Sequence, residues 1–356
     1  MSGRLEKLRV ELEKIGAEAF ITEKPENRLY LSGFSGSTGS VVVTADQAFL
    51  VTDFRYVEQA AEQAPDFVIV NNERKAVEAI ANLLKEQRVS RLAFESSVSF
   101  QTYQDWSKAF ADVELLPTNG LVEKIRMYKD EAEMVIIREA VRIAEAAFEH
   151  IQGYIRPGVR EIDVAMELEF FMRKQGATGS AFDMIVASGP RGALPHGRAT
   201  EKVIQAGEMV TMDFGAAFQG YNSDITRTVS VGEPHPKMRE IYDVVLRAQL
   251  AGLQALQPGN TCKAADAATR DLITQAGYGD AYGHSAGHGL GLEVHELPHV
   301  SAASQFVLEP GMLVTMEPGI YITGLGGVRI EDDVLITADG HEVLNKTTKE
   351  LLILPV

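Results

Sequence analysis

Two aspartates, Asp213 and Asp224, stand eleven residues apart in the stretch Val210-Thr-Met-Asp-Phe-Gly-Ala-Ala-Phe-Gln-Gly-Tyr-Asn-Ser-Asp-Ile-Thr-Arg-Thr228, with Gly215 and Gly220 between them. Val210, Met212 and Phe214 alternate with Thr211 and Asp213, the period of a strand with one apolar face. From Ser223 to Thr228 the alternation returns, with Asp224, Thr226 and Thr228 on one side. A hairpin folded at the glycines would carry both carboxylates to one end of a sheet. Carboxylates turned into a protein interior repel, and each costs several kcal/mol to desolvate unless a cation lies between them. The chemistry open to such a pair is metal binding; the plain alternative is two solvated loop aspartates.

A second stretch favours the metal. Gly207-Glu-Met-Val-Thr-Met-Asp-Phe-Gly215 aligns without a gap on Gly311-Met-Leu-Val-Thr-Met-Glu-Pro-Gly319, so that Asp213 falls on Glu317. Fourteen residues after Glu317, Glu331 alternates with Val328 and Ile330 as Asp224 does with its own apolar neighbours. Upstream, Pro157-Gly158 with Gly176 is echoed by Pro258-Gly259 with Gly277 at a constant offset. An internal repeat of this kind predicts two similar halves about a pseudo-twofold axis. Four carboxylates gathered at that axis call for roughly two divalent cations to bring the cluster near neutrality.

Four histidines, His284, His288, His295 and His299, crowd into sixteen positions beside these strands, and His196 stands in Leu194-Pro-His-Gly-Arg198. Such density next to carboxylate-bearing strands points to a site rather than to scattered surface imidazoles. His295-Glu-Leu-Pro-His299 matches the literal pattern of the helical zinc proteases. That chemistry needs both histidines on one face of a continuous helix. Pro298 costs a helix interior about 3 kcal/mol, and Gly287, Gly289 and Gly291 also favour extended chain, so the helical zinc reading is rejected. On this reading Pro298 turns the chain away before His299, which has no part in the site.

These residues need a scaffold. Leu5, Leu8, Leu12 and Ile15 follow helical spacing up to Gly16, and strands are expected at 19–22, 40–44, 48–52, 68–70 and 91–95, with helices at 56–64 and 75–86. Alternating strands and helices predict an α/β domain. Gly33-Phe-Ser-Gly-Ser-Thr-Gly39 lacks the lysine and following helix of a phosphate cradle and reads as a tight connection. Pro117-Thr-Asn-Gly120 marks the expected boundary. Beyond it, helices are expected at 134–151, 161–174, 236–256 and 263–275, and strands over 178–232 and 283–354. A helix pair followed by sheet, run twice, predicts an α+β domain with helices on one face of a curved antiparallel sheet. The chain of 356 residues suits two domains. Its net charge of −16 argues against nucleic acid or an anionic membrane as partner. No apolar run approaches a membrane span. A lone cysteine, Cys262, and a charged N-terminal segment lead us to expect the cytoplasm.

Met-Asp-Phe-Gly, Ser-Asp-Ile-Thr-Arg-Thr, Gly-His-Gly-Leu-Gly-Leu-Glu-Val-His-Glu, Met-Glu-Pro-Gly and Arg-Ile-Glu-Asp, in this order, resemble the motifs of the pita-bread metallopeptidases. Within them the match is to the Xaa-Pro peptidases, prolidase (Xaa-Pro dipeptidase) and aminopeptidase P, and it covers nearly the whole chain. The resemblance implies an α+β pita-bread (creatinase/aminopeptidase) catalytic domain with a pseudo-twofold repeat at 121–356, preceded by a smaller creatinase-type α/β domain at 1–120. It implies that Asp213, Asp224, His288, Glu317 and Glu331 hold two divalent ions per chain. The oxygen-rich set suits Mn²⁺ first, with Co²⁺ or Zn²⁺ as alternatives. By the same resemblance a metal-bridging hydroxide hydrolyses the peptide bond preceding proline. Glu317 would shuttle the proton, His295 would stabilise the tetrahedral intermediate, and His196 and His284 would contact substrate or protonate the leaving nitrogen. Arg329 would orient the site or anchor a carboxylate, and Tyr221 and Tyr321 are further substrate-binding candidates that could equally be sheet packing. The expected partners are small peptides with proline second, and a second copy of the chain in a homodimer. Methionine aminopeptidases share the metal set but lack a comparable N-terminal domain, creatinase lacks the full ligand set, and non-enzymatic relatives have lost ligands. All five ligand types are present here, so hydrolysis is expected.

Overall fold

The computed structural model describes residues 2–356. Packing divides the chain after Arg126. That is later than the boundary expected at residue 120, because the helix Leu121–Arg126 belongs to the first unit. Val122 and Ile125 are buried, and the Arg126 guanidinium donates to Asn27 Oδ1 at 2.7 Å.

The first unit is built on a six-stranded mixed sheet, in the order Val68–Asn71, Ala48–Thr52, Ser40–Thr44, Ala19–Thr22, Arg91–Glu95, Glu114–Thr118. The three central runs, from Ala19, Ser40 and Ala48, are buried at every position. That pattern fits strands covered on both faces by helices. The stretch from Gly33 to Gly39 is a connection, as expected. Gly33 ends the helix Pro25–Ser32 in the left-handed region, and Arg28 donates to the carbonyls of Gly36 and Gly39 at 2.6 and 2.9 Å. A side chain of the protein thus occupies the concavity a phosphate would need. Three helices, Pro25–Ser32, Phe100–Ala109 and Leu121–Arg126, and the edge strand Glu114–Thr118 were not foreseen in the sequence.

The second unit carries the repeat. Helix Glu131–Ile151 opens with a reciprocal cap: Asp130 accepts from the Glu133 amide, and Glu133 accepts from the Asp130 amide, each at 2.9 Å. Its stripe of Met134, Ile137, Val141, Ala144, Phe148 and Ile151 is buried. With helix Glu161–Lys174 it covers a sheet ordered Ile353–Leu354, Ile225–Val231, Met209–Phe214, Ile185–Ser188. Helices Pro236–Ala255 and Cys262–Gln275 stand in the corresponding places of the second half. Its sheet runs Glu296–Val300, Gly287–Gly289, Leu313–Met316, Asp332–Ile336, His341–Val343. The continuous strand content expected over 178–232 is interrupted by a 3-10 turn at Gly189–Ala193 and by the irregular chain after it, which bears His196. Among the described residues, no helix is long and apolar enough to cross a membrane.

The expected hairpin is present. Met209–Phe214 pairs antiparallel with Ile225–Val231, placing Asp213 opposite Thr226. Gly215 makes the turn possible by close approach, because an added Cβ there would overlap the backbone carbonyl of Ser223. Gly215→Ala is therefore expected to destabilise the protein by about 3 kcal/mol, the upper end for overpacking, and to weaken metal binding. Thermal melting with and without metal would measure both.

Candidate metal centre and active site

Each ligand candidate sits at a strand end or beside a glycine, where a polar side chain can face inward without breaking the sheet. Asp213 lies on Met209–Phe214, Asp224 one residue before Ile225–Val231, and His288 in the middle of Gly287–Gly289. Glu317 follows Leu313–Met316, and Glu331 precedes Asp332–Ile336. All five line one cavity of about 460 Å³, within the usual size of a small-molecule site. His288 Nε2 is 3.4 Å from Glu317 Oε1 and 3.7 Å from Asp224 Oδ2. Candidate ligand atoms of Asp224, His288 and Glu331 all lie within 4.8 Å of one another.

The donor set fits divalent ions on grounds internal to the site. Asp213 Oδ1 and Asp224 Oδ1 are buried without a hydrogen-bond partner, an expense proteins avoid unless another group completes the site. His288 Nδ1 lies 3.0 Å from the carbonyl of Gly289. That contact fixes the proton on Nδ1 and leaves Nε2 free as a ligand atom. Burial, followed by the neighbouring His295, pushes the His288 imidazole down to about 3, which keeps it neutral. Burial and the surrounding carboxylates, Glu331 foremost, raise Asp224 well above its usual range. Burial and then Glu317 and Asp213 do the same to Glu331. Glu317 is raised to about 8 by burial, against the opposing pull of Arg329.

A layer of hydrogen bonds stands around these groups. Arg329, on Gly326–Arg329, donates to Asp213 Oδ2 at 2.5 Å, Thr226 Oγ1 at 3.1 Å, the carbonyl of Pro195 at 3.1 Å and the Tyr321 hydroxyl at 2.7 Å. Four of its five N–H donors are committed within the protein and it is buried, so it orients the site, with one Nη2 hydrogen left at the cavity wall for the substrate-binding role expected of it. Tyr321 is not among the wall residues of the cavity. Its hydroxyl joins Arg329 to His284 Nε2, 2.9 Å away, so Tyr321 is corrected from a substrate contact to a link between two wall residues. Tyr221 is likewise corrected: it lies away from the cavity, and its buried hydroxyl donates to Glu133 Oε1 at 2.9 Å on the capping helix.

The histidines His196, His284 and His295 all reach the cavity wall. His295 packs edge-on against His288, with ring centroids 4.4 Å apart. Burial lowers its affinity for a proton, and it lowers that of His284 to about 4, with Arg329 adding to the effect. The segment Glu296–Val300 is a strand, not a helix. Glu296 therefore faces away and pairs with Lys129 Nζ at 3.0 Å in the interior, which removes the helical zinc geometry. The same strand overturns the expectation for His299. The strand continues through Pro298, so the proline does not turn His299 away, and His299 lines the cavity with His295. A larger open depression of about 690 Å³ beside the helix Glu161–Lys174 holds no histidine and shares only Phe182, Asp183 and Arg198 with the site.

The raised carboxyls set a pH dependence for the metal-free protein. Glu317 ordinarily titrates at 4.5 and in the fold at about 8, so the folded state holds a proton that the unfolded chain has released. Stability from such a group is present at low pH and lost as pH rises through the folded value. His284, His288 and His295 have the opposite sign, because burial lowers them while the unfolded imidazoles, ordinarily titrating at 6.5, still hold protons until about one pH unit higher. From about 7.5 to about 8 the metal-free protein should thus lose up to about 1.4 kcal/mol per pH unit for each proton held. Divalent metal should flatten that slope, and melting curves of chelated and reloaded protein across this window would check it.

The sequence matches the model of metallopeptidase family M24 over residues 135–338, and that of the creatinase/prolidase N-terminal domain over residues 4–128. It is 41% identical over 353 residues to an Xaa-Pro dipeptidase of Pyrococcus furiosus, covering 99% of this chain and 100% of the relative. The solved Xaa-Pro dipeptidase of Bacillus anthracis superposes with a TM-score of 0.97 at 51% identity, with 99% of each chain covered. An X-Pro aminopeptidase of Thermotoga maritima superposes at 0.91 with 37% identity, over 97% of this chain and 99% of that one. With two halves that each bring a strand hairpin to one carboxylate-lined cavity, and a separate α/β unit earlier in the sequence, the chain belongs to metallopeptidase family M24 and has the pita-bread catalytic fold.

Proposed function

We propose that the protein is an Xaa-Pro peptidase, which cleaves the bond before proline at the free N-terminus of short peptides, using two divalent ions. The observation that carries the metal part is the convergence of Asp213, Asp224, His288, Glu317 and Glu331 on one cavity, two of them with buried, unpartnered oxygens. The relatives named Xaa-Pro dipeptidase and X-Pro aminopeptidase support the specificity. Oxygen-rich ligation supports Mn²⁺.

When bound, the ions supply Lewis-acid polarisation of the scissile carbonyl and an activated water at neutral pH. The protein's own groups do the rest. Glu317, on the cavity wall beside His288, takes up a proton and returns it. His295, on the wall beside His288, offers a hydrogen bond to the developing oxyanion. His196 contacts the substrate around the proline nitrogen, where a proton must arrive as the bond breaks, while His284, whose Nε2 meets the Tyr321 hydroxyl at 2.9 Å and whose Nδ1 meets the Ser285 carbonyl at 2.8 Å, faces the substrate with its ring. Arg329 holds Asp213 in place and, through Tyr321, fixes the His284 ring.

Hydrolysis with added Mn²⁺ of an Xaa-Pro dipeptide, of the same peptide lengthened by several residues, and of an Xaa-Ala analogue tests the specificity. The alanine analogue should lose roughly tenfold or more in kcat/KM. A preference for N-terminal methionine with no need of proline would overturn the reading. Three histidine variants test the assignments. His288→Ala should lose bound metal and nearly all turnover. His295→Ala should keep the metal and lose turnover by about a hundredfold. His299→Ala should keep the metal and move KM more than kcat, because His299 lines the cavity without touching the ligand set.

A further inference from the structure

The chain segments that present His196 and His284 are irregular, yet each is tied down by one buried carboxylate from the neighbouring helix. Glu161, fully buried as the first residue of Glu161–Lys174, accepts through Oε1 from the Ser188 amide and hydroxyl, both at 2.8 Å. Through Oε2 it accepts from the Thr200 hydroxyl at 2.8 Å, from the Thr200 amide at 3.3 Å and from Arg191. Arg191 in turn donates to the carbonyl of Arg198 at 2.8 Å. One carboxylate and its arginine thus fix residues 188, 191, 198 and 200, and His196 lies within that bracket.

The second half reaches the same end with different positions. Asp266, buried on Cys262–Gln275, is held by both arms of Arg270 at 2.8 Å and accepts from the Ala286 amide at 3.1 Å. Arg270 donates to the carbonyl of His284 at 2.8 Å and of Tyr282 at 3.2 Å, and lies 4.4 Å over the Tyr282 ring. The carbonyl of Ala286 receives the Glu317 amide at 2.8 Å. The offset of 101 that carries Pro157 onto Pro258 would carry Glu161 onto Cys262, not onto Asp266. Shared descent of the halves therefore does not account for the pair of clamps, whereas a shared task, holding a histidine loop against the cavity, does.

We propose that Glu161 with Arg191, and Asp266 with Arg270, are positioning residues that set His196 and His284 for the reaction. The proposal rests on the reading of these two histidines as substrate-facing groups. Charge-assisted hydrogen bonds to both sides of each histidine restrict its backbone. A displacement of about 1 Å at a reacting group can lower the rate by about a hundredfold.

The test is a pair of double-mutant cycles on the metal-loaded enzyme, Asp266→Asn with His284→Ala and Glu161→Gln with His196→Ala, read as kcat, KM, bound metal and melting temperature. Each acid variant should keep its metal and lose at least about tenfold in kcat, with KM changed by less than about threefold. In the background lacking the histidine it should cost nothing more. In metal-free, histidine-labelled protein, the ring signals of His284 or His196 should move in the matching acid variant while that of His295 stays. Losses that add in the double variants, unmoved ring signals, or unchanged kcat in the acid variants alone would overturn the proposal while leaving the reading of the histidines intact. Full turnover in His284→Ala and His196→Ala would instead overturn that reading, and the proposal with it. Should an acid variant fail to fold, Arg270→Lys and Arg191→Lys, which remove the fork but keep the charge, carry the same cycles.

Discussion

Mutual repulsion among buried carboxylates is the constraint on which the catalytic unit depends. Asp213, Asp224, Glu317 and Glu331 share one cavity, and Arg329 supplies a single guanidinium among them. Their side chains are largely buried, so the negative charges can be tolerated only as protonated acids or with cations. The raised acid values of Asp224, Glu317 and Glu331 state the first solution, and the unpartnered oxygens of Asp213 and Asp224 point to the second. Folding energy and metal affinity are then linked, since whatever binds the cluster relieves strain that the fold alone must carry.

The paired halves meet this constraint with different details. In the first half Asp213 is opposite Thr226, and in the second Met316 is opposite Asp332. Carrying that second register one step further sets Glu317 opposite Glu331. Glu331 thus holds the place that Thr226 holds in the first half, and the Thr226 hydroxyl donates to Glu331 Oε2 at 2.6 Å across the junction. Thr226 also accepts from Arg329, whose guanidinium holds Asp213. The repeat thus supplies matching hairpins, while the ligand set is asymmetric: the spacings of eleven and fourteen residues seen in the chain are the trace of that difference.

Neutral imidazoles surround the acid cluster. Burial keeps His288 and His284 uncharged, which suits one as a ligand and the other as the partner of Tyr321. No separate device is needed to keep these rings deprotonated: the same exclusion of water that raises the carboxylic acids lowers the histidines.

Patterns local in the chain were legible from it. The alternation about Asp213, the gapless match to Glu317, the glycine-flanked His288 and the apolar stripe from Met134 to Ile151 all became the elements they announced. Pro298 was enough to exclude a helical zinc site, because a missing backbone donor acts wherever the residue sits. What depends on partners far away in sequence was not legible. Tyr221 looked like a site residue until the fold gave its hydroxyl to Glu133, 88 positions upstream. Arg329 looked wholly available to a substrate until Asp213, Thr226, Tyr321 and the carbonyl of Pro195 took four of its five donors. His299 was set aside because Pro298 was expected to turn the chain away before it, but the strand runs on through Pro298 and His299 lines the cavity. Residue type and spacing determined which chemistry the chain could hold. Tertiary structure alone decided which donors are already spent and which face each side chain shows, because hydrogen bonds and burial are set by neighbours that sequence order does not name.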